Sequence, residues 1–509
     1  MNKKYFKLLI IIISISISSS FLEGYQEFST KHKIDAKILE LWGQSKKYIE
    51  TSVEMLKESP IELYFIGSQS YNLLNYAFAK EHTLLIDELL QLYMKTLPYM
   101  ERKKTYNIYH LNEEQEKNSI ILKEPIYVWS NKEGDEELIS SAQFLFVVSF
   151  AFNKITTIPS KKRTKTMNNF IKEFSPILSS HYQRWVMGVK EKGKKIKLGS
   201  FSRRGWGCKD SKEEYIYART LNQLIEELSE QSYHGASYCN VIADPSLLII
   251  SGLGYYLSGT KNQYPSYNIQ NKKILEALFI KNIKILSQQF KKSNIKEKDL
   301  KSEPIPIISF QEGAWYGHPD YYYSNYNGST FPKKENLNSN PSVGMDVAHG
   351  SRVIYLLEML TENRNKFDIK FPTQNDMKMF TDAFLYKVFN QNYQKPLFKN
   401  YMDGSNGWFR VNYESKKGYG YAPYSIGSFG AILGGYPRLA KYNKKLETIF
   451  KILFKKFNSS KKEERAFIHQ FYEKSIWMEA QEREVYQFYK KKINPKSAIY
   501  LIGFYSSLI

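Results

Sequence analysis

The chain has 509 residues, 42% of them hydrophobic, enough to bury one large core without needing metals or many disulfides. Its 73 Lys plus Arg against 51 Asp plus Glu leave a net charge of +22, which favours a polyanionic partner, although lysines scattered along an Asn-, Ile-, Lys- and Tyr-rich chain reach the same total without any function. No compact basic arm or zinc motif points to nucleic acid, and two cysteines do not make a disulfide scaffold.

The first segment, "MNKKYFKLLIIIISISISSS", runs from lysines into an apolar and serine stretch of secretory length, so residues 1–22 read as a signal peptide, with an uncleaved anchor as the alternative. No later segment holds the roughly 20 uninterrupted apolar residues of a membrane span. The remaining chain is expected to be secreted, periplasmic or on the cell surface, with no membrane contact beyond the first segment. There Cys208 and Cys239 either pair or stay as two thiols.

Apolar periodicity then predicts about eleven helices: Asp35–Ser59, Ser70–Leu97, Leu138–Ile155, Thr166–Lys190, Glu213–Glu230, Ile242–Gly259, Asn271–Lys292, Asn340–Leu360, Asn375–Tyr393, Ser425–Phe457 and Trp477–Ile493. Some, such as Asn271–Lys292, carry Lys and Glu on one side. Others, such as Ile242–Gly259, are apolar over most of their circumference and so belong in an interior layer. This alternation describes an all-α (α/α) toroid, an incomplete or six-hairpin barrel, because no fixed-period repeat supports an α-solenoid. Residues 23–509 form a single domain, with 23–135 a candidate N-terminal extension that includes a small hairpin.

Long aromatic loops, "SFSRRGWGCKD", "QEGAWYGHPDYYYSNYNGSTFPKKENLNSNPS" and "KNYMDGSNGWFRVNYESKKGYGYAPYS", are expected at one mouth of the toroid. Four groups of residues stand out. In "NPSVGMDVAHGSRVIYLLEML", Asp346, His349 and Arg352 recur at steps of three after a predicted cap at Ser342, against the alternative of a buried network tying two helices. In "DGSNGWFRVNY", alternation predicts an extended segment with Trp408, Arg410 and Asn412 on one face, so that Asn406, Trp408, Arg410 and Tyr413 meet a ligand, with Tyr421 following. An aromatic hairpin on the core is the bland reading. His234 precedes the helix that starts near Asp244, and Glu312, Trp315, His318 and Asp320 occupy the second loop. Arg203, Arg204 and Trp206 form a lesser group at the rim.

No P-loop, dinucleotide glycine fingerprint or nucleophile elbow is present, so no cofactor is expected. His234, His318 and His349 lack the i, i+4 spacing of a metal site, so no metal is expected either.

Helix alternation, an aromatic mouth and polar starts of inner helices resemble the (α/α)-toroid carbohydrate-active proteins: polysaccharide lyases of the alginate and heparinase type, uronyl hydrolases and related glycosidases. The resemblance spans about residues 35–490 in architecture. It departs from those lyases that carry a C-terminal β-sandwich, since this chain closes on "SAIYLIGFYSSLI". It implies a secreted enzyme acting on an acidic, uronate-containing polysaccharide or oligosaccharide. In β-elimination His349 would move the proton, with Asp346 orienting it, Tyr413 or Tyr421 as partner acid, Arg352 or Arg410 on the substrate carboxylate, and Asn406 neutralising charge. Trp408 and Trp315 would stack on sugar rings, and His234 is the second candidate base. The alternatives are a glycoside hydrolase using paired carboxylates from Asp346, Glu312, Asp320 and Asp403, and a glycan-binding protein without catalysis.

Overall fold

The computed structural model describes residues 34–109, 117–132, 134–190, 192, 197–201, 208, 219–230, 236–263, 269–295, 303–413, 418–473 and 495–508. Residues 1–22, His234, Arg203, Arg204, Trp206 and the helix expected over Trp477–Ile493 lie outside them.

The described chain is mostly helical. In order, its α-helices are α1 (34–54), α2 (Ile61–Ala79), α3 (Thr83–Met94), α4 (Leu138–Thr157), α5 (Lys165–Met187), α6 (Leu221–Glu230), α7 (Asp244–Gln263), α8 (Ile269–Ser287), α9 (Val347–Phe367), α10 (Gln374–Ala383), α11 (Ser425–Leu433), α12 (Lys444–Phe457), α13 (Lys462–Ile468) and α14 (Pro495–Ser506). Three antiparallel hairpins join them: β1 (Glu101–Tyr109) with β2 (Lys117–Val128), β3 (Val189–Lys190) with β4 (Lys197–Leu198), and β5 (Phe290–Ile295) with β6 (Ile305–Phe310).

Two kinds of helix separate by burial. In α4 every residue from Ser140 to Thr156 except Lys154 is buried, and in α7 the whole stretch 246–260 is buried, because neither has a polar face to offer water. In α5, by contrast, Phe170, Phe174, Leu178, Tyr182 and Trp185 recur at steps of three and four and bury one side only. The interior set packs in a circuit: α2 on α4, α4 on α7, α7 on α9, α9 on α11, α11 on α14, and α14 back on α2. Amphipathic helices lie outside it, α3 and α5 behind α2 and α4, and α8 behind α7. Gly430 lets α11 approach α9 closely, since a Cβ there would sit 2.7 Å from backbone atoms of Ala348.

The axis of this circuit is filled by rings. Tyr71 of α2, Phe146 and Phe150 of α4, Tyr255 of α7 and Tyr355 of α9 pack on one another, with Phe146 and Tyr355 stacked at 5.0 Å. Arg438 adds a cation over Tyr71, 5.3 Å from its centroid, and pairs with Glu358 at 2.6 Å.

Several expectations need correction. The helix expected over Ser70–Leu97 is two helices that begin earlier: Glu81, at φ +52°, turns the chain, and His82 caps α3. Residues 61–79 thus form an inner helix and belong to the body of the fold. Among the described residues of 23–135, β1 and β2 form the expected small hairpin. The run expected over Ser425–Phe457 breaks at Gly435, φ +78°, followed by Pro437 in a 3₁₀ turn. The end of Asn271–Lys292 is strand, where Phe290 pairs with Phe310. By length and composition, Leu138–Thr157 and Ser237–Asn262 are apolar enough to cross a membrane. Their most apolar windows are 83% and 89% buried inside the fold, so here protein plays the part that lipid would.

One buried cluster sets acid sensitivity. Arg184 pairs with Glu136, and His181 lies 3.7 Å from that carboxylate while its Nδ1 contacts the Ile177 carbonyl at 2.8 Å. Burial, then the Arg184 charge, pushes the imidazole down from 6.5 to about 4, against the pull of Glu136. Below pH 6.5 the unfolded chain takes up a proton that the folded chain refuses. Stability is therefore expected to fall between pH 6.5 and 4, by about 3 kcal/mol from this group. Melting temperatures of the wild type and His181→Gln across that window test it: the variant should show the shallower loss, and parallel curves would refute the assignment.

Candidate functional site

Asp346 is the true cap of α9, not Ser342: its Oδ1 accepts from the His349 amide at 3.1 Å, and Val347 is the first helical residue. The loop at 400–402 fixes this start, since Val347 donates to the Asn400 carbonyl and Met402 to that of Met345. The second oxygen of Asp346 meets His349 Nδ1 at 2.6 Å and accepts from the Tyr321 hydroxyl at 3.3 Å. Burial pushes this carboxyl up, but the His349 ring, the hydrogen bonds it receives and the Arg410 charge outweigh burial and hold it below the ordinary carboxylate range. His349 keeps some exposure, and its Nε2 lies 4.0 Å from Asp244, the first residue of α7. Each imidazole nitrogen thus has a carboxylate beside it.

Arg352, one turn on, leaves the dyad. Its guanidinium donates to the Ala348 carbonyl and Ser351 Oγ, both at 2.8 Å, and to the Tyr64 hydroxyl on α2. Burial disfavours its charge, but Tyr64 and Asp244 restore it, so the group stays cationic. Arg410 comes from the other side: its Nε donates to Asp320 at 2.9 Å, and its guanidinium lies 4.6 Å from the Tyr413 ring centroid.

Two adjoining cavities meet at these residues. An inner cavity of about 460 Å³ draws its lining from all six helices of the circuit and reaches Tyr64, Gln69, Arg352 and Tyr421. An outer one of about 340 Å³ is lined by Trp315, His318, Asp320 and Tyr321. Asp244, His349, Arg410 and Tyr413 line both and form a collar between them. The first turns of α2, α4, α7 and α9 all face the inner cavity, so their positive dipole ends converge there.

The two aromatic loops meet over this mouth. Gly407 donates to the Ser324 carbonyl, Trp408 to that of Tyr326, and Arg410 to that of Asp320. Yet 408–412 is not the extended segment that alternation predicts, because Arg410 and Asn412 both adopt φ +54°. That turn separates the expected group. Trp408 is buried in the loops, donating to the Gly328 carbonyl at 2.8 Å with its ring against Phe331. Asn406 accepts from the Asn400 and Tyr424 amides and shapes backbone. Neither is among the residues lining the two cavities. Tyr421 faces the inner cavity, its hydroxyl 2.9 Å from that of Tyr419, and Trp315 faces the outer one, stacked on Tyr321 at 5.0 Å.

Of the other carboxylates, Glu312 is bound by Lys387 at 2.8 Å, and Asp403 accepts from Gly344 and Asn340. Tyr64 was not foreseen, lying 288 positions from the arginine it contacts. Asp244 as a collar residue did have a signal, an acid opening an inner helix in "ADPSLLII", as Asp346 does in α9. Among the described residues no group of three or more His, Cys, Asp or Glu is arranged to hold a metal ion. Cys208 and Cys239 form a disulfide that closes a 31-residue separation beside this mouth, where Tyr238 packs edge-on to His318. No protein family, curated protein or solved structure matches the chain.

Proposed function

We propose that this chain is an (α/α)-toroid enzyme of an oxidising, extracytoplasmic compartment that cleaves an acidic polysaccharide by β-elimination. The circuit of six inner helices inside an amphipathic layer supports the toroid. The disulfide supports the compartment. The observation that carries the reaction is the Asp346–His349 dyad, whose Nε2 faces a collar that also holds Arg410 and Tyr413.

In this reading Asp346 fixes the ring by its Nδ1, and His349 Nε2 takes the C5 proton of a uronate held at the collar. The electron pair forms the C4–C5 double bond, the C4–O bond breaks, and the Tyr413 hydroxyl gives the leaving oxygen its proton. Arg410, which lines both cavities, balances the charge that builds on the carboxylate. Incubation with uronate polymers and neutral glycans, following ultraviolet absorbance and reducing ends together, tests it. Both signals should rise on a uronate polymer, and silence on every polymer would end the proposal.

Asp244 favours a second reading, hydrolysis, because a carboxylate beside His349 Nε2 is suited to act on water. Asp244→Asn separates the two. Under hydrolysis it should lower turnover roughly 10²-fold or more, with reducing ends and no absorbance in the wild type. Under elimination it should change turnover by less than about tenfold.

A further inference from the structure

We infer that the inner cavity is a terminal-residue subsite, so that the enzyme works from a chain end and holds the last uronate by Gln69, Tyr64 and Arg352. This rests on the proposed cleavage of an acidic glycan and adds where the chain stops. Tyr355 is part of the cavity wall, and behind it the buried rings of Tyr71, Phe146, Phe150 and Tyr255 pack on it and on one another. Its volume of about 460 Å³ suits a small ligand, and a polymer cannot continue through the packed rings. A glycan that crosses the collar from the outer cavity meets Tyr355 and the rings packed behind it, so that its last residue rests against this wall.

The polar groups of this cavity are poised for an acid. Gln69 is 7% exposed, and neither atom of its amide has a hydrogen-bond partner among the described residues. A buried amide left unpaired is costly, so its retention on a cavity-lining turn of α2 calls for a ligand that it reaches by a side-chain rotation. Arg352 is also unpaired at Nε, an atom shielded from the cavity, and its other nitrogens are anchored, so it acts on a ligand there through its charge. Tyr64 accepts from Arg352, which turns its own O–H proton elsewhere in the cavity that it lines. An amide, a phenol and a guanidinium from the first three turns of α2 and the second turn of α9 match a carboxylate with neighbouring hydroxyls better than a neutral sugar.

Calorimetric titration of full-length His349→Ala with glucuronate, galacturonate and glucose tests the subsite without turnover. Tyr64→Phe, which deletes one oxygen, and Gln69→Leu are then added to that background, with melting temperature as the check on folding. At least one uronate should bind and glucose should not, and each added change should weaken uronate binding roughly tenfold or more, the share of one hydrogen bond to a charged group. Equal binding by all three proteins, or no uronate binding by His349→Ala, overturns the inference. So does a wild type that releases fragments of mixed length from its first turnovers, although the proposed function would survive. If no polymer is cleaved but uronate binding is lost in both variants, the proposed function falls and the subsite stands.

Discussion

Replacing His349 by alanine should lower turnover roughly 10²- to 10⁴-fold, the usual share of a group that moves a proton in the transition state. The fold should largely survive, because the helix cap uses the His349 backbone amide, which alanine keeps. What is lost is the bond from the ring to Asp346, a carboxylate with no exposure that would retain Tyr321 and that amide. Weakening its neutralisation should cost about 1–3 kcal/mol. Product formation and thermal unfolding measured on one preparation separate the two effects. A variant that melts earlier but turns over normally would show that the dyad only ties α9 to its loops, and Asp244 would become the first candidate for proton transfer.

Replacing Arg438 by alanine should cost about 3–5 kcal/mol of stability, the largest single loss expected from a residue remote from the collar. Its guanidinium makes a two-pronged pair with Glu358 of α9 at 2.6 and 2.8 Å, donates to Asn72 of α2 and covers the Tyr71 ring. With Arg438 gone, the Glu358 carboxylate, 8% exposed, has no cation to offset its burial. Denaturant unfolding measures the loss. The double variant Arg438→Met with Glu358→Leu should recover much of it, since two apolar groups need no solvation. A single variant within 1 kcal/mol of the wild type would mean that water reaches Glu358 after all.

How much was readable depended on whether a signal was local. The interior character of α7 was plain because an apolar run has nowhere else to go. The Asp346–His349 contact was equally plain, since the two residues are one turn apart and it needs only helix geometry, but the helix start was not: the cap falls at Asp346, four residues after the expected Ser342. The collar was not, because Arg410 meets Asp320 across 90 positions and Tyr64 meets Arg352 across 288. The 408–412 segment misled for a different reason: alternation implies a strand only where φ stays negative, and Arg410 and Asn412 reverse it. The last helix, α14, is too short to stand out by periodicity, although "SAIYLIGFYSSLI" has the apolar circumference and small residues of α7. The β5–β6 hairpin gave little warning, because "FKKSNI" exposes four consecutive residues and anchors itself by Phe290 at one end.

The place of α14 between α11 and α2 bears on how the protein is made. Five of the six staves exist once residue 433 has been synthesised, but the hoop stays open until residues 495–506 follow, and Tyr500 and Gly503 are part of the inner cavity wall. A chain still emerging from the ribosome therefore has no finished cavity. Binding competence should switch on as one late event, when the last stave seats against the first.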